Sequence, residues 1–321
     1  MKILFEHNGS LPVKRYGGTE RIIFWLMKEL VKRGHEVFLI ASADSDVKKY
    51  GIKLIPRTVD DWRSLVPSNI DIVHLFSPTE LEMEFPFLLT VEGNGQIGEA
   101  FPKNTVFVSK KHAQNHASLA YVYNGIDMDE YPYTKGTKKN WNNFLFLAKA
   151  KWKVKNLKNC VQACKSNKKH LHIAGGRTFS FSRYIHSYGM VDQKKKLELL
   201  NRTDALLFPV RWHEPFGIAI IEAMALGLPV IGSPYGSLPE LIRPNTGLIC
   251  DTFDELMDAV SGTNNDFRAD EIRRYVEKKF SVQKMADDYL SFYDKVIKGK
   301  TINRILPTNV TGNHPELLLP F

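Results

Sequence analysis

Three absences narrow the kind of protein that this chain of 321 residues can form. Its three cysteines, Cys160, Cys164 and Cys250, are too few for a disulfide framework, and we expect Cys160 and Cys164 to pack as small apolar residues in a helix. No apolar run reaches the roughly 18 residues that a membrane-spanning helix needs. The N-terminal MKILFEHNGS also lacks the long apolar region of a signal peptide. We therefore expect a cytoplasmic globular protein.

The chain is basic, with a net charge of +9 at pH 7, and this charge suits an anionic partner. Nucleic acid is not predicted, because no helix-turn-helix, zinc-finger or RNA-binding signature accompanies the charge. A nucleotide, an anionic acceptor or an anionic membrane surface fits it better. Peripheral contact with such a membrane is kept as an open alternative to a purely cytoplasmic protein.

Segments of strand and helix character alternate along the chain, which is typical of parallel sheets covered by helices. A helix is predicted at 19–33, where apolar residues recur at helical spacing. The polar stretch at 131–143 is interpreted as a linker between two domains. The predicted strands are residues 3–5, 37–41, 71–75, 87–91, 105–108, 144–147, 171–174, 205–208 and 229–231.

The most informative segment is RWHEPFGIAIIEAMALG at 211–227, a loop that leads from a strand into a helix. Pro215 suits a first helical turn, and Gly217 lets a ligand approach the backbone closely. The helix N-terminus favours a phosphate. Glu222 could accept hydrogen bonds from two vicinal hydroxyls, such as those of a ribose, and Glu214 could bind a sugar hydroxyl. The alternative is an ordinary amphipathic helix with one solvated glutamate.

Two further groups of residues could bind an anion. Gly17 and Gly18 precede the first predicted helix and would expose backbone N–H groups, although such a pair is usually only a capped turn. Several lysines follow the strand at 144–147, either as a solvated face or as a clamp on a diphosphate. These lysines are Lys149, Lys151, Lys153, Lys155 and Lys158.

Taken together, these segments resemble the family 4 retaining glycosyltransferases of the GT-B fold, through the E-x7-E pattern of Glu214 and Glu222. The order and spacing of the matching segments fit that family from about residue 1 to residue 297. The other matching segments are YGGTER at 16–21, YNGID at 123–127, FLFLAKAKWKVKNL at 144–157, LHIAGG at 171–176 and YGSLPELI at 235–242.

The resemblance implies an α/β protein with two Rossmann-like, doubly wound parallel-sheet domains that face a cleft. The acceptor-side domain is expected at 1–133 and the domain that binds the nucleotide sugar at 134–281. A helix at 282–298 is expected to cross back to the first domain. The tail at 299–321 would be an extended arm or disordered.

The same resemblance assigns the donor site. Glu222 would hold the ribose, Glu214 the donor sugar, and Lys149 with Lys155 the diphosphate. The family usually has an arginine where Lys149 stands, and lysine provides a point charge instead of a bidentate fork. The further residues expected at the donor are Gly17, Gly18, Gly175, His213, Pro215, Phe216 and Gly217.

Glu92 departs from the family pattern, which often has a histidine at the matching position. Glu92 could orient the acceptor hydroxyl or could only cap its loop. No cofactor is expected, because the nucleotide sugar is a substrate. No metal is expected either, since the D-x-D matches at 44–46 and 127–129 are short enough to arise by chance.

The resemblance thus implies a retaining, metal-independent transferase. It would move a sugar from a UDP- or GDP-sugar to a hydroxyl of a glycan, glycolipid or other acceptor, by positioning and charge stabilisation. Two alternatives from other classes stay open. One is a non-catalytic protein that binds sugar nucleotides, and the other is a glycoside hydrolase, which also needs paired carboxylates.

Overall fold

A computed structural model describes residues 1–13, 17–77, 79–133, 140–262, 266–311 and 318–321. The chain divides into two units, Met1–Ile126 with Ser281–Gly312 and Asp127–Phe280 with Asn313–Phe321. The chain therefore leaves the first unit earlier than the boundary expected after residue 133. Part of the predicted linker, residues 134–139, lies outside the described residues.

The first unit contains a six-stranded parallel sheet with the strand order β3-β2-β1-β4-β5-β6. This order reverses between β1 and β4, and the carboxyl ends of strands at such a switch point are where ligands bind in open α/β sheets. Its strands are β1 (Lys2–Glu6), β2 (Glu36–Ala41), β3 (Lys53–Pro56), β4 (Ile72–Leu75), β5 (Phe87–Val91) and β6 (Thr105–Phe107), and its helices are α1 (Gly18–Lys32), α2 (Lys110–Asn115) and α9 (Val282–Ile297).

The second unit contains another six-stranded parallel sheet, with the order β12-β11-β10-β7-β8-β9. Its strands are β7 (Asn143–Leu147), β8 (His170–Ala174), β9 (Ile185–Ser187), β10 (Ala205–Phe208), β11 (Val230–Gly232) and β12 (Gly247–Ile249). Its helices are α3 (Leu157–Ser166), α4 (Gln193–Arg202), α5 (Ile218–Ala225), α6 (Leu238–Leu241), α7 (Phe253–Ser261) and α8 (Ala269–Lys279). The predicted α/β class with two parallel sheets is confirmed.

The strands that the sequence predicted are apolar and lie inside the sheets, except for the edge strand β6, whose three residues are nevertheless buried. In β10 all four residues are buried. The strands that sequence reasoning missed, β3, β9 and β12, are three or four residues long and lie toward the edges, with partly exposed side chains. These three strands lack the fully buried run that identifies β6 and the central strands.

Helix α9 is joined to the first unit's sheet by buried polar contacts. The two ring nitrogens of His74 lie 2.6 Å from Tyr293 Oη and 2.8 Å from Thr90 Oγ1. The hydroxyl of Thr90 donates in turn to Tyr289 Oη at 3.0 Å. Complete burial lowers the pKa of His74 well below its usual value, so the ring is neutral. These contacts fix α9 against β4 and β5.

The described part of the predicted tail is ordered against both units. In the first unit, the tail segment (residues 303–310) donates from Thr308 N to His116 O at 2.9 Å and from Val310 N to Asn115 O at 3.0 Å. In the second unit, Leu319 N donates to Arg211 O at 3.0 Å. Of the two expectations for the tail, an extended arm describes these residues.

Candidate functional site

The loops that follow β7 and β10 meet at a buried ion pair in the second unit. Lys155 Nζ lies 2.5 Å from Glu214 Oε2, and both side chains are about one-tenth exposed. Trp212 Nε1 donates to the same carboxylate oxygen at 2.5 Å. The rings of Phe208 and Trp212 also face the ammonium group, at 5.2 and 4.8 Å from their centroids. Two donors and two aromatic faces therefore fix Glu214 and Lys155 in one orientation.

Backbone contacts bring these two loops together. Arg211 N donates to Val154 O at 2.7 Å, and Asn156 Nδ2 donates to Pro209 O at 2.9 Å. Asn156 adopts the left-handed conformation with φ 59°, which ends the turn that contains Lys155. Because asparagine tolerates this conformation, it is a suitable residue at this position. Sequence reasoning missed this asparagine.

The segment YGSLPELI at 235–242 packs against the backbone of the loop that carries Glu214. Ser237 N donates to Glu214 O at 3.0 Å, and Ser237 Oγ donates to Phe216 O at 2.5 Å. Gly236 has φ +63°, and a Cβ on it would lie 2.3 Å from both the nitrogen and the oxygen of Glu214. Only glycine permits this close approach of the two backbones. The resemblance included this segment, but its physical role became visible only in the fold.

Glu222 lies one turn inside α5 and is buried. Its Oε1 accepts hydrogen bonds from Tyr131 Oη and Lys196 Nζ. Lys196 comes from α4, and Arg273 Nη1 holds Tyr131 in turn by donating to its carbonyl oxygen at 2.8 Å. Sequence reasoning singled out Glu222 as a candidate and did not identify the two residues that contact it. Lys196 belongs to a run of three lysines at 194–196, which gave no signal to single it out.

Helix α5 begins at Ile218, with Gly217 as its N-cap in the left-handed conformation at φ 93°. The expectation that Pro215 lies in the first helical turn is therefore wrong, because the loop extends to Gly217. Phe216 is buried, and its carbonyl is the acceptor for Ser237 Oγ. His213 is half-buried, with its ring centroid 6.2 Å from that of Tyr235 in an edge-to-face contact. The loop that carries Glu214 therefore also contains His213, Pro215, Phe216 and Gly217.

Lys149 and Gly175 lie on the neighbouring loops. The Nζ of Lys149 is 4.4 Å from the ring centroid of Trp152, which itself packs at 6.1 Å from the ring of Trp212. Gly175 has φ +107°, and a Cβ on it would lie 2.1 Å from Ala148 O. Its N–H donates to Gly189 O at 2.8 Å, so this N–H serves the fold. Gly175 thus permits the close packing of the loop that carries Lys149.

Gly17 and Gly18 lie in the first unit, as the N-cap and the first residue of α1. The Oε2 of Glu20 lies 2.8 Å from the position that a Cβ on Gly17 would take. A carboxylate therefore already lies at this helix N-terminus, where it interacts favourably with the helix dipole. This position of Glu20 disfavours a second anion at Gly17.

Glu92 follows β5 in the first unit. Its Oε2 accepts from Asn124 Nδ2 at 2.9 Å, whereas Oε1 is buried and has no hydrogen-bond partner among the residues that the structure describes. Burial raises the pKa of Glu92 to about 7; the bond from Asn124 lowers it and the charge of Glu20 raises it further. A carboxyl group that titrates near neutrality can exchange a proton with a hydroxyl.

Two buried histidines of the α2 region hold the loop that begins at Glu92. The Nε2 of His112 donates to Gly93 O at 3.0 Å, and its Nδ1 accepts from Val108 N at 3.5 Å. His116 Nδ1 donates to His112 O at 2.8 Å, and its Nε2 accepts from Gly95 N at 3.4 Å. Each ring thus uses one nitrogen as donor and one as acceptor, which requires the neutral form. Burial lowers the pKa of both histidines.

Within the described residues, no group of three or more His, Cys, Asp or Glu side chains is arranged to hold a metal ion. In the same part of the chain, no helix has the length and apolar character needed to cross a membrane.

Residues 127–275 match the family described as Glycosyl transferases group 1. Among curated proteins, the chain is 29% identical over 197 residues to the uncharacterized 41.2 kDa protein in the cps region of Klebsiella pneumoniae, covering 54% of each chain. The match therefore spans about half the length of this relative.

Two solved structures show the fold. The first is AviGT4, a glycosyltransferase involved in avilamycin A biosynthesis, with a TM-score of 0.74, 20% identity and coverage of 94% of this chain and 99% of the other. The second is Anabaena Alr3699/HepE in complex with UDP-glucose, with a TM-score of 0.66, 15% identity and coverage of 92% and 100%. The chain has the GT-B fold of these structures.

Proposed function

We propose that this chain, whose residues 127–275 match the family described as Glycosyl transferases group 1, is a retaining glycosyltransferase. It takes a sugar from a nucleoside-diphosphate sugar and transfers it to a hydroxyl of a glycan or glycolipid. The donor is a UDP- or GDP-sugar. UDP-glucose is the molecule bound by the Anabaena relative in fold.

The contact between Lys155 and Glu214 is the observation that carries this proposal. Two loops separated by 59 positions in sequence converge there, at the carboxyl ends of β7 and β10, next to the start of α5. One supplies a cation suited to a diphosphate and the other a carboxylate suited to a sugar hydroxyl. A donor with a charged and a neutral end requires these two groups side by side.

In the proposed reaction the bond from the sugar's anomeric carbon to the diphosphate oxygen breaks, and its electron pair leaves with the diphosphate. Lys149 and Lys155 stabilise the negative charge that develops there, without a resident metal. The acceptor oxygen bonds to the anomeric carbon on the same face, and its proton passes to the departing phosphate oxygen. The anomeric configuration is thereby retained.

Glu214 and Glu222 position the donor. Glu214 accepts hydrogen bonds from sugar hydroxyls and is kept in place by Trp212 and Lys155. Glu222 binds the ribose, whose hydroxyls take over the contact now made by Tyr131 Oη. Glu92 orients the acceptor hydroxyl through its buried carboxyl group.

The test is a donor and acceptor screen that measures released nucleoside diphosphate, with NMR of the product to determine its anomeric configuration. We expect release only from a nucleotide sugar, and Glu222→Gln should raise the KM for donor because the ribose loses its charged acceptor. A matched control is Glu240→Gln, a change of the same type in α6. Hydrolysis of oligosaccharides without a nucleotide would instead establish a glycoside hydrolase. Donor binding by calorimetry without turnover on any acceptor would establish a binding protein.

A further inference from the structure

The first unit carries a face that combines exposed aliphatic side chains with cations. Five large apolar residues on it are between 37% and 86% exposed. They come from three short segments, and we call the surface that they form with the neighbouring cations the aliphatic-basic face. Its apolar members are Ile97, Leu119, Ile305, Leu306 and Val310.

Hydrogen bonds show that these segments are neighbours. The tail segment (residues 303–310) lies against the loop at 98–103, through Gly98 N to Asn309 O at 2.9 Å and Phe101 N to Pro307 O at 2.8 Å. It also contacts the turn after α2, where Ser118 Oγ donates to Asn303 Oδ1 at 2.6 Å. The segments that carry the exposed aliphatic side chains are therefore adjacent in the fold.

The charges of these segments have one dominant sign. Residues 95–119 and 297–311 contain six lysines and arginines and a single carboxylate, Glu99. That carboxylate accepts a hydrogen bond from Gln96 N at 2.7 Å and so turns back onto its own loop. The cations are Lys103, Lys110, Lys111, Lys298, Lys300 and Arg304. Lys298 pairs with Asp294, which leaves five cations and one carboxylate in these two stretches.

We propose that the aliphatic-basic face docks this protein on an anionic lipid bilayer surface. Burial of aliphatic side chains at the boundary between headgroups and acyl chains is favourable, and lysines near such a surface are attracted to its negative charge. A single-stranded nucleic acid is a poorer match, since its binding sites use exposed aromatic rings for stacking and this face offers none among its described residues. A second copy of the face would be repelled by the shared positive charge.

The loop at 92–98 connects Glu92 with the aliphatic-basic face. It begins at Glu92 and ends beside the tail segment, so its far end, at Ile97, belongs to the docking face. An acceptor carried by a lipid would reach the first unit from this side. The docking itself does not depend on the proposed transfer reaction, because it is measured by binding alone.

The test is cosedimentation of the protein with vesicles of phosphatidylcholine alone or mixed with phosphatidylglycerol. We expect binding to the anionic vesicles, weaker binding at high salt, and little binding to phosphatidylcholine. The double variant Ile305→Ser/Leu306→Ser and the double variant Lys103→Glu/Arg304→Glu should each reduce the partition coefficient at least about tenfold.

Matched controls lie elsewhere on the same unit. Val59→Ser/Leu81→Ser changes two side chains of comparable exposure that are flanked by carboxylates, and Lys32→Glu/Lys48→Glu makes the same charge change away from the face. Both should bind vesicles like the unaltered protein, and thermal melts by circular dichroism verify that every variant is folded.

Three outcomes would overturn the proposal. The unaltered protein fails to bind anionic vesicles, the control variants lose binding as much as the face variants, or Phe179→Ser/Phe181→Ser in the second unit abolishes binding while the face variants retain it. Fluorescence anisotropy with a labelled oligonucleotide tests whether the face binds nucleic acid instead of a membrane. If the face variants lose only oligonucleotide binding, the face is a nucleic-acid site.

Discussion

Lys155 Nζ and Glu214 Oε2 lie 2.5 Å apart, and neither side chain is more than one-tenth exposed. Such a pair has lost most of its hydration, so each charge depends on the other. The pair also stands at the junction where we place the donor's diphosphate and sugar. Its structural and functional contributions can be separated by experiment.

Removing one partner of this pair should destabilise the protein, because the other charge is then buried alone. We expect Lys155→Met to lower the free energy of unfolding by about 3 kcal/mol. The double variant Lys155→Met/Glu214→Gln should regain much of that stability and still lack transfer activity. Urea unfolding and nucleotide release measure the two effects. Equal stability of the single and double variants would contradict the coupling.

Gly236→Ala should displace the loop that carries Glu214. The new methyl group would lie 2.3 Å from the Glu214 backbone, so the loop has to move. Gly34→Ala is the matched control, since Gly34 also has a positive φ, +83°, but nothing lies within 4 Å of its added Cβ. We expect both to lose about 1 kcal/mol from backbone strain and only Gly236→Ala to lose donor binding in calorimetry as well.

The stability of the first unit should depend on the ionisation of Glu92. Its pKa is raised from 4.5 to about 7, so the folded state binds this proton more tightly than the unfolded chain. The resulting stability is complete below pH 4.5 and is lost as the pH rises through 7. Glu92→Gln should therefore raise Tm at pH 8 by about 4 °C and change it little at pH 5.

The exposed Glu84→Gln is the control for this measurement, and it should leave Tm unchanged at both pH values. A Glu92→Gln variant that is less stable than the unaltered protein at pH 8 would show that the charged form is the stabilised one. If Glu92 orients the acceptor, the same variant should also raise the KM for acceptor more than the KM for donor.

His112 should anchor the loop that begins at Glu92 through its Nε2 bond to Gly93 O. His112→Leu removes this bond and should cost about 1–3 kcal/mol. His112→Gln places an amide nitrogen near the same position and should restore most of the loss. Hydrogen exchange at the Gly95 amide reports the loop directly. Equal exchange in the leucine and glutamine variants would contradict an anchoring role.

Acid should release the same loop, because the pKa of both His112 and His116 is lowered from 6.5 by burial. The unfolded chain then binds more protons than the folded protein, so stability is lost as the pH falls below 6.5. We expect this loss to be smaller in His112→Gln than in the unaltered protein, which unfolding midpoints at pH 7 and pH 5 measure.

The sequence by itself determined the alternation of central strands and helices and the junction that carries Glu214 and Glu222. These features follow from local rules: apolar runs form buried strands, and a glycine before a helix lets a ligand approach its N-terminus. Periodicity could not reveal β3, β9 and β12, because these edge strands have partly exposed side chains and gain their order from pairing with a neighbour, whereas the edge strand β6 is fully buried.

Only the tertiary structure decided which groups meet. In the sequence Lys155 was one of five lysines spaced over residues 149–158, and only the folding of the β7 and β10 loops brings it against Glu214. Glu222 gained Tyr131 and Lys196 as partners in the same way, from segments 91 and 26 positions away. Side-chain pairing across such distances depends on the packing of whole sheets, and no local pattern in the sequence encodes it.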